Sequence, residues 1–178
     1  MRNLFLLRHA QAESVDGGGD RKRRLTATGL ADALALGRAM KEKNLQPDFI
    51  FCSPALRTRE TLSTLMQSLA ESTAEFPEKL YSGTTGDIFH ILQNANENAK
   101  NILVVGHNPA IHELAALLSG DDAATLLNRV AAGYKPGTLT AFACACDQWA
   151  DLRPAENTLQ YFLEPLDYNA PATPARWT

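Results

Sequence analysis

Apolar residues fall along this chain in two textures. Three short unbroken runs, Leu4–Leu7, Phe49–Cys52 and Ile102–Val105, each stop at a polar residue or a glycine. Runs of this length without polar alternation suit strands buried on both faces. Between them the spacing turns helical. Thr26 is placed to cap a helix reaching about Asn44, with Leu30, Leu34 and Met40 at roughly helical spacing, and Pro47 ends that stretch. Ser53-Pro54 predicts a helix start with proline near its first position, running to about Leu69. After a turn around Pro77, Asp87 predicts the cap of a helix through about Asn98.

Two further helices are expected, from about Ala110 to Leu118 and from about Asp121 to Ala132. Thr138–Cys146 and Thr158–Leu163 read as a terminal antiparallel pair around Trp149, and the tail from about residue 166, with Pro171 and Pro174, reads as irregular. Strands alternating with helices predict an α/β class, with helices on both faces of a mostly parallel central sheet. With 178 residues and no linker or repeat, a single domain over 1–178 is expected.

Composition narrows the picture. Hydrophobic content of 45% with 21% charged residues is that of an ordinary folded domain. A net charge of −3 gives no support for nucleic acid as a partner. The three cysteines lack metal-ligand spacing and are odd in number, which argues against a disulfide framework and fits a reducing cytoplasm. Cys144 and Cys146, two apart, share one face of a strand and are expected to pack as small apolar groups. The apolar run at the N-terminus is shorter than the roughly 7–15 residues of a secretory h-region. No apolar stretch approaches the ~18 residues of a membrane span, so no membrane association is expected.

The chemistry gathers where the three runs end. The first delivers Arg8 and His9, the second Ser53-Pro54-Ala55-Leu56-Arg57, the third Gly106-His107-Asn108-Pro109. Neutral imidazole attacks phosphorus when its second nitrogen keeps its proton on a partner. Guanidinium binds a phosphate through two parallel charge-assisted bonds. Arg57, in a first helical turn, opposes the helix dipole unless an anion lies between them. Gly106 permits a sharp turn, Asn108 is suited to cap and Pro109 suits a first helical position. Each end by itself fits ordinary hydrogen bonding or capping as well as chemistry. Together they differ, because parallel strands bring their C-terminal ends to one edge, where open α/β folds bind ligands. Arg8, His9, Arg57 and His107 then form a phosphate cage around a nucleophile.

These residues resemble the histidine phosphatases, the phosphoglycerate mutase-like superfamily. The hallmark Arg-His-Gly stands here as Arg8-His9-Ala10, and the change to alanine is similar to the small SixA-type phosphohistidine phosphatases. Leu25-Thr26-x-x-Gly29, Ser53-Pro54-x-x-Arg57-x-x-x-Thr61, Val105-Gly106-His107-Asn108 and Phe162-Leu163-x-Pro165 extend the likeness along the chain. The resemblance implies a phosphoglycerate mutase-like α/β/α sandwich. His9 would form a phosphohistidine that water hydrolyses, with Arg8, Arg57 and His107 on the phosphoryl oxygens and Asn108 beside them. Neither metal nor organic cofactor is implied. The partner expected is a phosphorylated substrate, in the SixA branch a phosphohistidine-bearing signalling protein, in the cytoplasm.

The proton donor to the leaving group is the open point. Glu78-Lys79-Leu80-Tyr81 resembles the pattern in mutases that carries a glutamate acid, which makes Glu78 the candidate. Asp87 is its rival but reads first as a cap. Phosphorus passing from one imidazole to another has matched nucleophile and leaving group and needs less of an acid than an alkoxide does. Gly17-Gly18-Gly19 lacks the Gly-Lys-Ser/Thr of a P-loop and reads as a mobile segment. Arg21 to Arg24 form a basic cluster, either a solvated run or a docking patch for an acidic partner. His90 and His112 read as structural or exposed. About fifty residues separate Arg57 from His107, too few for a large lid, which suits an open site and a phosphorylated protein side chain.

Overall fold

The computed structural model describes residues 1–15, 17–120 and 124–168. The elements in chain order are β1 (Arg2–Arg8), α1 (Ala27–Glu42), β2 (Phe49–Cys52), α2 (Leu56–Leu65), β3 (Thr73–Glu75), α3 (Lys79–Ser82), α4 (Thr85–Gln93), β4 (Asn101–Gly106), α5 (Ala110–Leu118), α6 (Ala124–Ala132), β5 (Leu139–Cys144) and β6 (Thr158–Leu163). The strands form one six-stranded sheet in the order β3-β2-β4-β1-β5-β6. β1 to β4 pair in parallel, and β5 is antiparallel to both of its neighbours.

The unbroken apolar runs are explained by burial on both faces. On one side Leu4, Leu6, Ile102 and Val104 pack under α4, α5 and α6. On the other, Phe5, Leu7, Leu103 and Val105 pack under α1 and α2. Neither face meets water, so neither needs polar alternation. Cys144 and Cys146 are buried among the first group, as two-residue spacing anticipates, and all three cysteines are free.

Register determines what meets at the C-terminal edge. Arg8 is paired with Gly106 and Leu7 with Val105, while Cys52 is paired with the same Val105. Backbone bonds then continue past the strands, from His9 N to Gly106 O (3.1 Å) and from Ser53 N to Val105 O (2.9 Å). Three chain segments therefore leave the sheet side by side.

Several expected boundaries move. α2 begins at Leu56 rather than at Pro54, because Ser53 still follows the sheet and Pro54-Ala55 make the turn. It ends at Leu65, with a tighter 3-10 turn over Met66–Ser68. Thr84, not Asp87, caps α4, and Asp87 is the reciprocal partner three residues in, a capping box. That helix stops at Gln93, where the Asn94 side chain donates to the His90 carbonyl (2.8 Å). α5 follows a cis Asn108-Pro109 bond and has Pro109 itself at the cap position, while Asn108 caps nothing. The short β3 and α3 were not anticipated, since three and four residues carry no usable period. The start of the helix expected from Asp121 and the tail beyond Tyr168 lie outside the described residues.

The Leu25-Thr26-x-x-Gly29 segment acts through close approach. Thr26 accepts from Gly29 N (3.0 Å), and Thr26 N donates to the Gln11 carbonyl (3.0 Å). A Cβ on Gly29 would lie 2.1 Å from that same carbonyl oxygen. Only glycine lets α1 brace the backbone two residues beyond His9. Gly29→Ala is therefore expected to destabilise the fold by about 2 kcal/mol, the clash outweighing any gain in helix propensity. Thermal melting checks this; an unchanged or higher Tm refutes it.

Candidate active site

Arg8 is the last residue of β1 and His9 the first beyond it. The residue after the histidine is fixed from α2: Ala10 N donates to Thr61 Oγ1 (3.1 Å), and the Thr61 hydroxyl donates to the Arg57 carbonyl (2.7 Å). Ala10 itself is buried against Leu25 and Ala33. Thr61 thus ties the Arg8-His9 segment to the helical turn that carries Arg57.

Arg57 joins the rest. Its side chain is almost wholly buried, and a guanidinium is permanently protonated and can only donate. Nε donates to His9 Nε2 (3.3 Å), and one terminal nitrogen approaches His107 Nδ1 (3.1 Å). An arginine at a ring nitrogen makes that nitrogen the acceptor, which decides both tautomers. His9 keeps its proton on Nδ1, donated to the Ala10 carbonyl (2.7 Å). His107 keeps its proton on Nε2, facing Ser53 Oγ (2.7 Å). The two rings lie 5.2 Å apart between centroids.

Electrostatics agree with these neutral forms. Burial, reinforced by the charges of His107, Arg57 and Arg8, lowers His9 to about 3, against the Ala10 hydrogen bond that works to raise it. Burial and the Arg57 charge lower His107 to about 4. His9 therefore presents an unprotonated Nε2 with its other nitrogen anchored, the form a nucleophile requires.

Arg8 and Asn108 share one acceptor. Arg8 donates from a terminal nitrogen and Asn108 from Nδ2 to the Tyr134 carbonyl, each at 2.8 Å. Arg8 Nε and Asn108 Oδ1 are buried without a hydrogen-bond partner among the described residues. A buried donor left unpaired costs on the order of 1–3 kcal/mol, so it marks a place where a ligand would be welcome.

Glu78 is engaged by the basic loop. Its exposed carboxylate pairs with Arg21 (2.6 Å), and this partner lowers its pKa, which favours the anion rather than the proton-donating form. Asp87, the rival, serves the α4 cap and Lys79, and is held at about 2 chiefly by the Thr84 backbone bond. The carboxylate that does reach the cluster is Asp20, from the glycine-rich segment. It accepts from Arg57 (3.0 Å), Tyr81 Oη (3.1 Å) and Arg23 (3.0 Å). The Tyr81 ring stands edge-on to His107 at 5.7 Å. Tyr81 figures in the sequence only as part of the pattern around Glu78, and Asp20 not at all, because its approach depends on a loop path no period encodes. Sequence reasoning also passed over the Ser53 hydroxyl, whose only signal was its place in a motif beside Arg57. Of the basic cluster, Arg21, Arg23 and Arg24 are paired with Glu78, Asp20 and Glu60.

Known proteins place the chain. The histidine phosphatase superfamily (branch 1) matches residues 4–86, which include Arg8, His9 and Arg57. The chain is 30% identical over 132 residues to a phosphohistidine phosphatase SixA homolog of Haemophilus influenzae, covering 66% of this chain and 77% of that one. A candidate phosphohistidine phosphatase SixA structure from Nakamurella multipartitia is 30% identical, with a TM-score of 0.79, 93% of this chain and 96% of that one being covered. The fold extends to a phosphoglycerate mutase of Plasmodium falciparum, with a TM-score of 0.57 at 16% identity over 90% of this chain and 89% of that one. Strand order, motif positions and these likenesses agree, and the chain belongs to the histidine phosphatase superfamily, where it resembles the SixA-type proteins.

Proposed function

We infer that this protein hydrolyses phosphohistidine in proteins, with His9 as the nucleophile. The observation that carries the reading is the buried, neutral His9, with Nδ1–H on the Ala10 carbonyl and Nε2 directed at Arg57. In the first step the Nε2 lone pair bonds to phosphorus as the bond to the leaving group breaks. The leaving nitrogen takes that electron pair. In the second, water attacks phosphorus, its proton passes to a phosphate oxygen or to bulk water, and the phosphorus–nitrogen bond electrons return to His9 as free phosphate leaves. Arg8, Arg57 and His107 hold the phosphoryl oxygens and stabilise the charge they gain in the transition state. Asn108, beside Arg8 on the Tyr134 carbonyl, belongs to the same binding set. The substrate class rests on the likeness to SixA proteins and on matched imidazole nucleophile and leaving group, which needs little of a proton donor.

Ser53 has a positioning role in this scheme. A hydroxyl both donates and accepts, so it can stay on His107 Nε2 while Nδ1 changes from accepting from Arg57 to donating to phosphate.

Incubation with a phosphohistidine-bearing protein should leave acid-labile phosphate on the wild-type chain and none on His9→Ala, whose turnover should fall by at least about a thousandfold. Activity surviving in that variant would sink the mechanism; a wild type without turnover or phosphoenzyme would point to a phosphate-binding module. Ser53→Ala should lower kcat/KM by about tenfold, from the loss of one buried hydrogen-bond partner. The His107 15N shifts should at the same time show a disturbed tautomer, and wild-type shifts would speak against the role. Glu78→Gln is expected to change phosphohistidine turnover by less than about threefold, since little acid is needed. A loss of a hundredfold or more would make Glu78 the proton donor after all.

A further inference from the structure

Arg57 is already occupied. Besides His9 and His107, it donates to two oxygens of one residue, the Asp20 carbonyl (2.8 Å) and carboxylate (3.0 Å). The carboxylate is gripped from three directions, by Arg57 of α2, by the Tyr81 hydroxyl of α3 and by Arg23 of its own loop. Four of the five N–H groups of the guanidinium are thereby used within the chain. A phosphate on Arg57 would need the same fork of two terminal N–H groups. It would also bring its negative charge against the Asp20 carboxylate in a partly buried place, where like charges are poorly screened.

We propose that Asp20 is a built-in anion occupying the phosphate seat on Arg57, which an incoming phosphoryl group must displace, and that it thereby weakens the hold of the site on phosphate itself, leaving productive binding to substrates whose carriers bring contacts of their own. Bare phosphate and small oxyanions, which bring only their charge, compete poorly against a tethered carboxylate. A phosphoryl group borne on a protein brings the contacts of its carrier as well, and those offset the displacement. This rests on the reading of Arg57 as a phosphate ligand.

The surroundings allow the exchange. Asp20 follows Gly17, Gly18 and Gly19, and a Cβ on Gly17 or Gly19 would meet nothing within 4 Å. Gly19 itself has a φ of 83°, a conformation that favours glycine. The Asp20 side chain is 43% exposed, so it turns outward without crossing the core. A cleft of about 420 Å3, lined by Glu13, Lys22, Arg23, Arg24, Leu30 and Glu60, lies along the same loop and gives it room. Polar contacts hold the loop down: Arg57 and Tyr81 on Asp20, Arg23 on the Glu13 carbonyl, Arg21 on Glu78 and Arg21 over the Tyr81 ring at 5.1 Å. Protonation does not release the carboxylate. Although burial works to raise it, the Arg23 bond, the Arg57 charge and Tyr81 hold it at about 2, so only a competing anion takes its place.

The test is equilibrium binding of inorganic phosphate, followed by the His9 and His107 ring resonances, to wild type, Asp20→Asn, Asp20→Ser and Arg57→Gln, with melting curves to establish folding. Both Asp20 variants should bind phosphate about tenfold more tightly than wild type, the scale of one lost charge-assisted contact. Their KM for a small aryl phosphate and for a phosphohistidine protein should fall by similar factors, since the displacement is common to both. Equal or weaker phosphate binding by the folded Asp20 variants, with Arg57→Gln weaker still, overturns the proposal and leaves the phosphate site standing. An unchanged KM for both substrates, with phosphate binding tightened, overturns displacement of Asp20 by the substrate. Phosphate binding that is absent from wild type and the Asp20 variants alike, or unaffected in folded Arg57→Gln, overturns the phosphate seat itself and the proposal with it.

Discussion

A buried guanidinium has to be surrounded by acceptors, and around Arg57 that requirement organises the whole site. The group cannot shed its proton and cannot accept a hydrogen bond. Every atom it touches is therefore obliged to be a lone pair or an anion. His9 Nε2 and His107 Nδ1 supply the lone pairs, and Asp20 supplies the charge. One residue thus defines the tautomers of two histidines and draws a loop across the end of the sheet. The low pKa values of both rings follow from the same crowding of cations with burial.

Most of the motif residues serve position rather than chemistry. Gly29 allows a helix to touch the Gln11 carbonyl, and Thr61 pins Ala10 to the turn that carries Arg57. Ser53 is buried with its hydroxyl on His107 and its backbone on β4. These contacts run through backbone groups, whose positions are stiffer than those of long side chains. The His9 ring, held through its own neighbour's carbonyl and through α2, keeps one orientation.

The two ends of β1 show how burial of the same side chain can mean opposite things. Arg2, at the start, is buried with its guanidinium on the carbonyls of Glu97, Ala99 and Asp147 and on the Glu97 carboxylate, and it lies over the Trp149 ring. Trp149 in turn donates to the Ala99 carbonyl (2.7 Å). That arginine is saturated, and its work is to close the far end of the sheet. Arg8, at the other end, donates to one carbonyl and leaves Nε buried without a partner among the described residues. Saturation marks a structural cation, and a buried donor left open marks one that awaits an anion.

The sequence by itself determined the three central strands, the helices between them and the edge on which Arg8, His9, Arg57 and His107 would gather. It could do so because burial on two faces writes itself as unbroken apolar runs, and a parallel sheet leaves its strand ends on one side. The motif glycines and threonines were legible as pattern, though not the carbonyls they approach. Tertiary structure alone decided the rest. The pairing of Glu78 with Arg21, the arrival of Asp20 on Arg57, the hydroxyls of Ser53 and Tyr81 and the buried Nε of Arg8 all depend on contacts between residues far apart in the chain. Hydrogen-bond partners across such distances leave no period in a sequence, because a loop needs only one polar atom in the right place to complete them.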